Sequence, residues 1–494
     1  MIIIQKYEKI LLLTLLLFIL GVKLYFAFNA DNLSYGAYYE TKQVNNILKT
    51  GFPLLWDELS FSGRADIVSP IYYYILALFS YFLGLSPALI LLPNLFVSLI
   101  SIIIYLIVKK ITQNEVSSFI CAIVSGFVPV LTYTTLITGS INSLAFLVMF
   151  IYIYIFIDIK DKKRFNYFII LSIMIPFISP ITLLCLIGLI FYFMLMKLDG
   201  FIINKSELET VTFASFFMLL ALFVQYKPAL IMNGATIVWQ NIPLALLNQY
   251  FSNIDIMSYI GAIGLLPLIF GIYTIYKFTF KVNKSSINII IGFTIAVFLT
   301  TWLKLVNPNA GLSLIALSLI ILMGESLNRF ISKIRETKFD SLEFLIIIIL
   351  CVIFIFTSVN DTIEAQNKII DQSVNPDLIY SLNWIKGNTP VDSVIFTDIQ
   401  NGYLITELAE RKNMIDNNFI LITDGSIRYG DYSQILYTPS TVQAVKILNK
   451  YKINYILLNK ETMPKYTEDQ CFKLVNSEED YLTFELICKV EKVA

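Results

Sequence analysis

The stretch Ser69–Leu85, SPIYYYILALFSYFLGL, decides how this chain is threaded. It is apolar and rich in tyrosine, short for a crossing of a hydrocarbon core about 30 Å thick, and it abuts a second apolar run that starts at Pro87. If it crosses a membrane, every element downstream changes sides. If it lies along the surface, none does. Basic residues choose between the two, because short cytoplasmic loops collect Lys and Arg. With the N-terminus inside and Ser69–Leu85 on the outer surface, the inside loops hold Lys6, Lys9, Lys109, Lys110, Lys160, Lys162, Lys163, Arg164, Lys197, Lys205, Lys277, Lys281, Lys284, Arg329, Lys333, Arg335 and Lys338. The short outside loops then hold only Lys42, Lys49, Arg64, Lys227 and Lys304. The surface placement is the one the charges favour.

Working outward, apolar runs at 10–28, 87–108, 116–136, 143–158, 209–226, 257–276, 286–303, 311–327 and 343–358 read as spans. Asn166–Met196 is too long for one crossing and is read as a tight pair broken at Ser179-Pro180. The sum is about eleven spans with the N-terminus cytoplasmic and the C-terminus outside. Composition agrees: 57% of the residues are apolar, against about 45–50% in soluble domains. The formal net charge is zero, so no basic field points to nucleic acid. There is no histidine, so acid–base chemistry falls to Asp, Glu, Lys, Tyr or water. Apart from Lys23 the spans carry essentially no ionisable residue, and no internal duplication is visible, which argues against a transporter.

Two long outer loops interrupt the pattern. The first, 29–69, gathers Asp31, Tyr35, Tyr38, Tyr39, Glu40, Asp57, Glu58, Arg64 and Asp66. Carboxylates, tyrosines and an arginine at a membrane surface suit a phosphate-linked, hydroxyl-rich substrate; the plain alternative is a solvated loop. The second, 227–256, carries Trp239 and Tyr250 among apolar residues and reads as interfacial.

The transmembrane domain is expected over 1–358 and a soluble α/β domain over 359–494. Within the latter, Pro376–Lys386 reads as a helix capped by Asn375, Ser393–Thr397 and Ile453–Leu458 as strands, and Thr438–Lys452 as a helix with Pro439 in its first turn. Cys471–Val475 and Tyr481–Cys488 form a hairpin in which the two cysteines can face one another, as a disulfide or as two unpaired strand cysteines.

Several stretches carry a resemblance. Leu48–Tyr74, Val128–Asn142 and Asp392–Asn417 resemble segments of the GT-C membrane glycosyltransferases, most of all the catalytic subunit of archaeal oligosaccharyltransferase, and the likeness spans nearly the whole chain. It implies a polytopic helical bundle of GT-C type with a C-terminal extracytoplasmic α/β domain. The implied activity is transfer of a sugar from a polyprenyl-phosphate donor to a lipid, glycan or protein acceptor at the cell envelope. Acidic positions of the family are replaced by Gly36 or Ala37, by Ile141, Asn142 and Ser143, and by Trp239, and the acceptor motif is reduced to Asp398–Gly402. The cofactor is therefore left open: a divalent metal is possible, and the sequence does not support it. These losses also frame the alternative, a catalytically silent relative that binds lipid-linked glycan or scaffolds a surface-polymer assembly.

Asp31 and Glu40 are the candidate bases, with one rather than both expected to act. Arg64 is a candidate phosphate partner, against a loop salt bridge with Asp57, Glu58 or Asp66. Asp57, Tyr38 and Tyr39 are placed with the substrate, the tyrosines alternatively in an interfacial belt. Lys304 beside Trp302 either contacts phosphate or snorkels. Asp398, Arg411 and Asp416 read as structural, with acceptor recognition the other role.

Overall fold

The computed structural model describes residues 2–252, 256–280, 282, 284–336, 345, 349 and 352–489. The expected span 343–358 falls largely outside the described residues. Helix α1 (Ile2–Ala27) leads into the first long loop, where α2 (Ala37–Thr50) and a two-stranded hairpin, β1 (Trp56–Asp57) and β2 (Arg64–Ala65), precede α3 (Pro70–Leu83). The bundle continues with α4 (Leu85–Thr112), α5 (Glu115–Gly126), α6 (Pro129–Thr135), α7 (Asn142–Phe156), α8 (Lys162–Met174), α9 (Leu183–Leu198) and α10 (Lys205–Asn233). It closes with α11 (Leu244–Ser252), α12 (Ile256–Ile263), α13 (Leu265–Phe280), α14 (Ser285–Trp302) and α15 (Pro308–Arg335).

Six helices among the described residues are long and apolar enough to cross a membrane, or eight if each of two bent pairs is one span. Sequence reading gave about eleven, one of them at 343–358 outside the described residues, and the rest of the difference has local causes. The run at 116–136 is bent by 46° where Pro129 starts a new helix, and that at 257–276 turns by 90° at Gly264. The helices α3 and α7 are apolar but short. With 14 residues, α3 rises only about 21 Å, less than the hydrocarbon thickness. The pair at 166–196 is broken where expected, with Ser179 capping a short turn at Pro180. α8 starts earlier, at Lys162, because Asp161 caps it.

The largest apolar cluster fills the bundle around α15, which packs on α4, α5, α13 and α14, and a few polar side chains such as Lys23, which donates to Thr132, and Asn94 are buried in the bundle as well. Charges collect at one end of it. Lys109 pairs with Glu8 at 2.7 Å and Glu115 at 3.3 Å, Arg164 with Asp158 at 2.6 Å beside Lys110, and Glu325 with Lys284 at 2.9 Å and Arg329 at 2.8 Å. The C-terminal domain sits at the other end.

The C-terminal region includes a helix over Asn360–Asp371 lying along α6. Its five-stranded sheet contains β3 (Val394–Phe396), β4 (Lys412–Asn413), β5 (Ile453–Asn459), β6 (Phe472–Ser477) and β7 (Tyr481–Leu486), in the order β4-β3-β5-β7-β6. β3 pairs in parallel with β4 and β5, and the β6–β7 hairpin adds antiparallel strands at the β5 edge. Cys471 and Cys488 are joined by a disulfide across the hairpin ends. Asn375 accepts from the Asp377 N–H to start the helix Pro376–Asn388. The next expected helix is shorter than the pattern implies: Ser440 caps Thr441–Lys450, which leaves Pro439 outside it.

Candidate active site

The first long loop is built from two halves with different chemistry. In its first half, α2 buries Ala37, Glu40, Val44 and Ile47 on one stripe, and Gly51 ends it in the left-handed conformation with its N–H on the Ile47 carbonyl. Glu40 therefore points inward although it is charged in sequence. It is 9% exposed, its Oε2 has no hydrogen-bond partner, and burial raises its carboxyl to about 8, an effect the Tyr73 hydroxyl partly opposes. A loop from α6 to α7 forms the opposing wall. Gly139 lies so near that a Cβ there would come 3.7 Å from Glu40 Cγ and 2.9 Å from Leu89 Cδ2, and its φ of +61 disfavours any other residue. The Tyr72 hydroxyl donates to the Gly139 carbonyl, and Ser143 meets Tyr72 from α7. A lone carboxyl thus stands among two tyrosines, a serine and backbone.

The second half plugs into the C-terminal domain. Phe61, Ser62 and Gly63 have φ of 51, 63 and 121, a run of left-handed residues that turns Phe61 into the domain core, edge-on to Phe419. Phe61 N–H donates to Asn413 Oδ1 at 2.6 Å, and Asn413 N–H donates to the Leu59 carbonyl at 2.9 Å. Arg64 is buried behind this turn. Its Nε donates to Ser60 Oγ at 2.6 Å and one terminal nitrogen to the Asn418 carbonyl at 2.9 Å; the other lies 3.7 Å from Asp66 and 3.9 Å from Asp416. Asp416 accepts from Ser60 Oγ at 2.5 Å, and Asp66 accepts from Tyr39 at 2.9 Å and Asn418 at 3.0 Å. Burial raises the Asp66 carboxyl, and Arg64 is the main counterweight.

Each residue proposed from sequence can now be placed. Tyr39 joins the halves: it follows Tyr38 on α2, donates to Asp66 and lies against Tyr73 and Tyr403. Arg64 makes the salt bridge with Asp66, and its guanidinium is occupied by protein groups. Asp57 accepts from Lys42 at 2.6 and 2.8 Å and from the N–H groups of Leu59 and Ser60, which fixes the hairpin. Tyr38 packs into the domain among Val374, Leu378 and Leu382. Asp31 is exposed just beyond α1. Lys304 donates to Asn248 at 2.7 Å and lies over the Phe251 ring, tying α14 to the second long loop. In that loop α10 runs past Lys227 to Asn233, and Asn233, Asn241 and Tyr250 all reach the domain around Asn417–Ile422. Sequence reasoning weighed Tyr72 and Tyr73 as stacking partners of a sugar or lipid against an interfacial belt, and did not assign Gly139 or Ser143 to the wall of the site. The stripe Tyr72, Tyr73, Leu76, Ala77, Ser80 on α3 was the available signal.

Among the described residues no three His, Cys, Asp or Glu side chains converge to hold a metal ion. Around Glu40 the neighbours are hydroxyls, so the residues present do not fit a divalent cation.

No protein-family model matches the chain, and no curated protein matches it by sequence. Solved structures do. The oligosaccharyltransferase of Archaeoglobus fulgidus in its apo form superposes with a TM-score of 0.68 at 12% identity, covering 91% of this chain and 69% of that one. The archaeal oligosaccharyltransferase AglB from Archaeoglobus fulgidus, in complex with an inhibitory peptide and a dolichol-phosphate, gives 0.66 at 12% identity, covering 92% and 70%. ArnT from Cupriavidus metallidurans bound to undecaprenyl phosphate gives 0.53 at 10% identity, covering 97% of both chains. At such identities the likeness speaks for architecture: the chain has the fold of the GT-C membrane glycosyltransferases.

Proposed function

We propose that this chain is an integral-membrane glycosyltransferase that moves a sugar from a polyprenyl-phosphate-linked donor to a lipid, glycan or protein acceptor outside the cytoplasm, with Glu40 as the base. The observation that carries this reading is the buried Glu40 carboxyl with an unmatched oxygen, set in a GT-C fold. A buried group left unsatisfied costs stability, which is tolerated where a ligand completes it. In the reaction the acceptor oxygen or nitrogen attacks the anomeric carbon, the carbon–oxygen bond to phosphate breaks, and the acceptor proton passes to Glu40. Two of the structural neighbours hold polyprenyl phosphates, which supports a lipid-borne donor. The disulfide supports an oxidising exterior for the domain. In this reading Arg64 positions the loop and leaves the phosphate to other donors.

The silent reading draws on that same pairing of Arg64, which removes the first loop's buried cation from substrate contact. Turnover of a radiolabelled polyprenyl-phosphate sugar by purified protein in vesicles separates the two. Transfer that disappears in Glu40→Gln, with donor binding retained, supports catalysis. Wild-type protein that binds donor and never transfers sugar establishes the silent relative.

A further inference from the structure

Among the described residues the wall around Glu40 has one buried acceptor left over. The Gly139 carbonyl takes the Tyr72 hydroxyl, and the Ser140 carbonyl takes the Ser143 hydroxyl at 2.8 Å and the Ser143 N–H at 3.1 Å. Ser140 Oγ takes the Asn142 N–H at 3.2 Å. Glu40 receives the Tyr73 hydroxyl, and its Oε2 stays unmatched. Among the described residues no charged side chain, and so no second carboxylate, bears on that carboxyl. Asp66, which Tyr39 links to this wall, is taken up by Tyr39, Asn418 and Arg64.

We propose that the group accepting the sugar is an alcohol hydroxyl and not an amide nitrogen. This rests on the reading of Glu40 as the base and adds the class of nucleophile. A hydroxyl carries one proton and keeps a free lone pair, so a single acceptor suffices: the O–H points at Glu40 Oε2 while the oxygen attacks. The new bond joins that oxygen to the anomeric carbon, and the bond from this carbon to the phosphate oxygen breaks. The leaving lipid phosphate keeps the electron pair, and Glu40 holds the proton until water takes it. The product is an oxygen-linked glycoside. An amide nitrogen differs in two ways. Its lone pair is delocalised into the carbonyl, and it carries two N–H groups. To attack it must give up that conjugation and find acceptors for both N–H groups beside a carboxyl only 9% exposed, where one acceptor waits.

The test uses full-length protein in phosphatidylcholine vesicles holding a polyprenyl-phosphate sugar labelled in the sugar, with methanol or acetamide added at equal molar concentration. Both probes are small, so the comparison turns on the nucleophile and not on recognition of a larger acceptor. Label is expected in the methyl glycoside and, more slowly, in free sugar released by water, with sugar on acetamide lower by at least about a hundredfold. Glu40→Gln is expected to abolish the methyl glycoside with donor still bound. Label reaching acetamide as fast as methanol overturns the inference and leaves sugar transfer standing. Bound donor that stays intact with methanol, acetamide and water overturns the inference together with the transferase reading. If Glu40→Gln does not fold, the wild-type pH profile decides. Methanolysis and hydrolysis rising together as pH approaches about 8 support one carboxyl acting on hydroxyl nucleophiles, and a flat profile for both overturns it.

Discussion

The two halves of the first long loop handle buried charge in opposite ways. Between Asp57 and Asp66 each buried charge meets a partner: Asp57 has Lys42, and Arg64 stands between Asp66 and Asp416 with Ser60, Asn418 and Tyr39 filling the remaining positions. Between Ala37 and Thr50, Glu40 is as deeply buried and has no cation beside it. A satisfied cluster holds architecture together. A carboxyl kept in the same loop without a counter-charge has been left for something the chain does not itself supply.

The largest effect expected from breaking this contrast is on turnover. Replacing Glu40 with Gln keeps the shape and removes the base, so transfer is expected to fall by about 10²–10⁴-fold, the usual range for a positioned general base. Thermal stability at neutral pH should hold or rise, because an amide is buried without ionising. A variant that loses stability and activity in parallel places Glu40 with the architectural half.

Arg64→Ala is expected to do the reverse. It strands Asp66 and Asp416, both buried, at a cost of about 3–5 kcal/mol, the penalty for removing one partner of a buried ion pair. The readout is early proteolysis or fast hydrogen exchange over 57–66 and 412–418, with the bundle still folded. Arg64→Met combined with Asp416→Leu should recover part of the loss, since two apolar groups replace a matched pair.

The third prediction concerns pH. Burial raises Glu40 from the ordinary 4.5 to about 8, so the folded state holds a proton that the unfolded chain releases. Its contribution to stability is complete below about 4.5 and is lost as pH rises through about 8. The melting temperature of wild type should therefore drop between pH 6 and 9 relative to Glu40→Gln, by an amount equivalent to a few kcal/mol at most. Activity should move the opposite way, rising toward pH 8 as the base form is populated.

Much of this was legible in the sequence, and the misses have physical reasons. Hydropathy located most of the helices, and the cap at Asn375 and the β6–β7 hairpin rest on local rules that the structure repeats. One partner of Arg64, Asp66, was among the alternatives read from sequence; the other, Asp416, was not legible. Asp57, Glu58 and Asp66 were its near neighbours in sequence, whereas Asp416 is 352 residues away, and no local pattern signals such a contact. The burial of Glu40 was legible and missed: it shares the spacing of Ala37, Val44 and Ile47, but a glutamate reads as solvent-facing until its neighbours are known. The run at 257–276 was read as straight because hydropathy is blind to a left-handed glycine, and Gly264 with Pro267 turns it.

Smaller effects test how far the architectural half extends. Lys42→Met removes the cation from Asp57, which still accepts two backbone N–H groups. The expected loss is about 1–2 kcal/mol, with turnover within about threefold of wild type, since the hairpin keeps its turn.

The smallest expected effect belongs to Asp31, and it bears hardest on the comparison. The side chain is exposed, so Asp31→Asn should change stability by no more than about 0.5 kcal/mol. If Glu40 is the only base, turnover should stay within about twofold, because losing a solvated carboxylate that takes no proton removes no proton-transfer step. A loss near a hundredfold from Asp31→Asn, with Glu40→Gln mild, reverses the assignment. The unmatched oxygen of Glu40 would then be an internal hydrogen-bonding position for the 139–143 loop, and the base would be the carboxylate that stands at the end of α1.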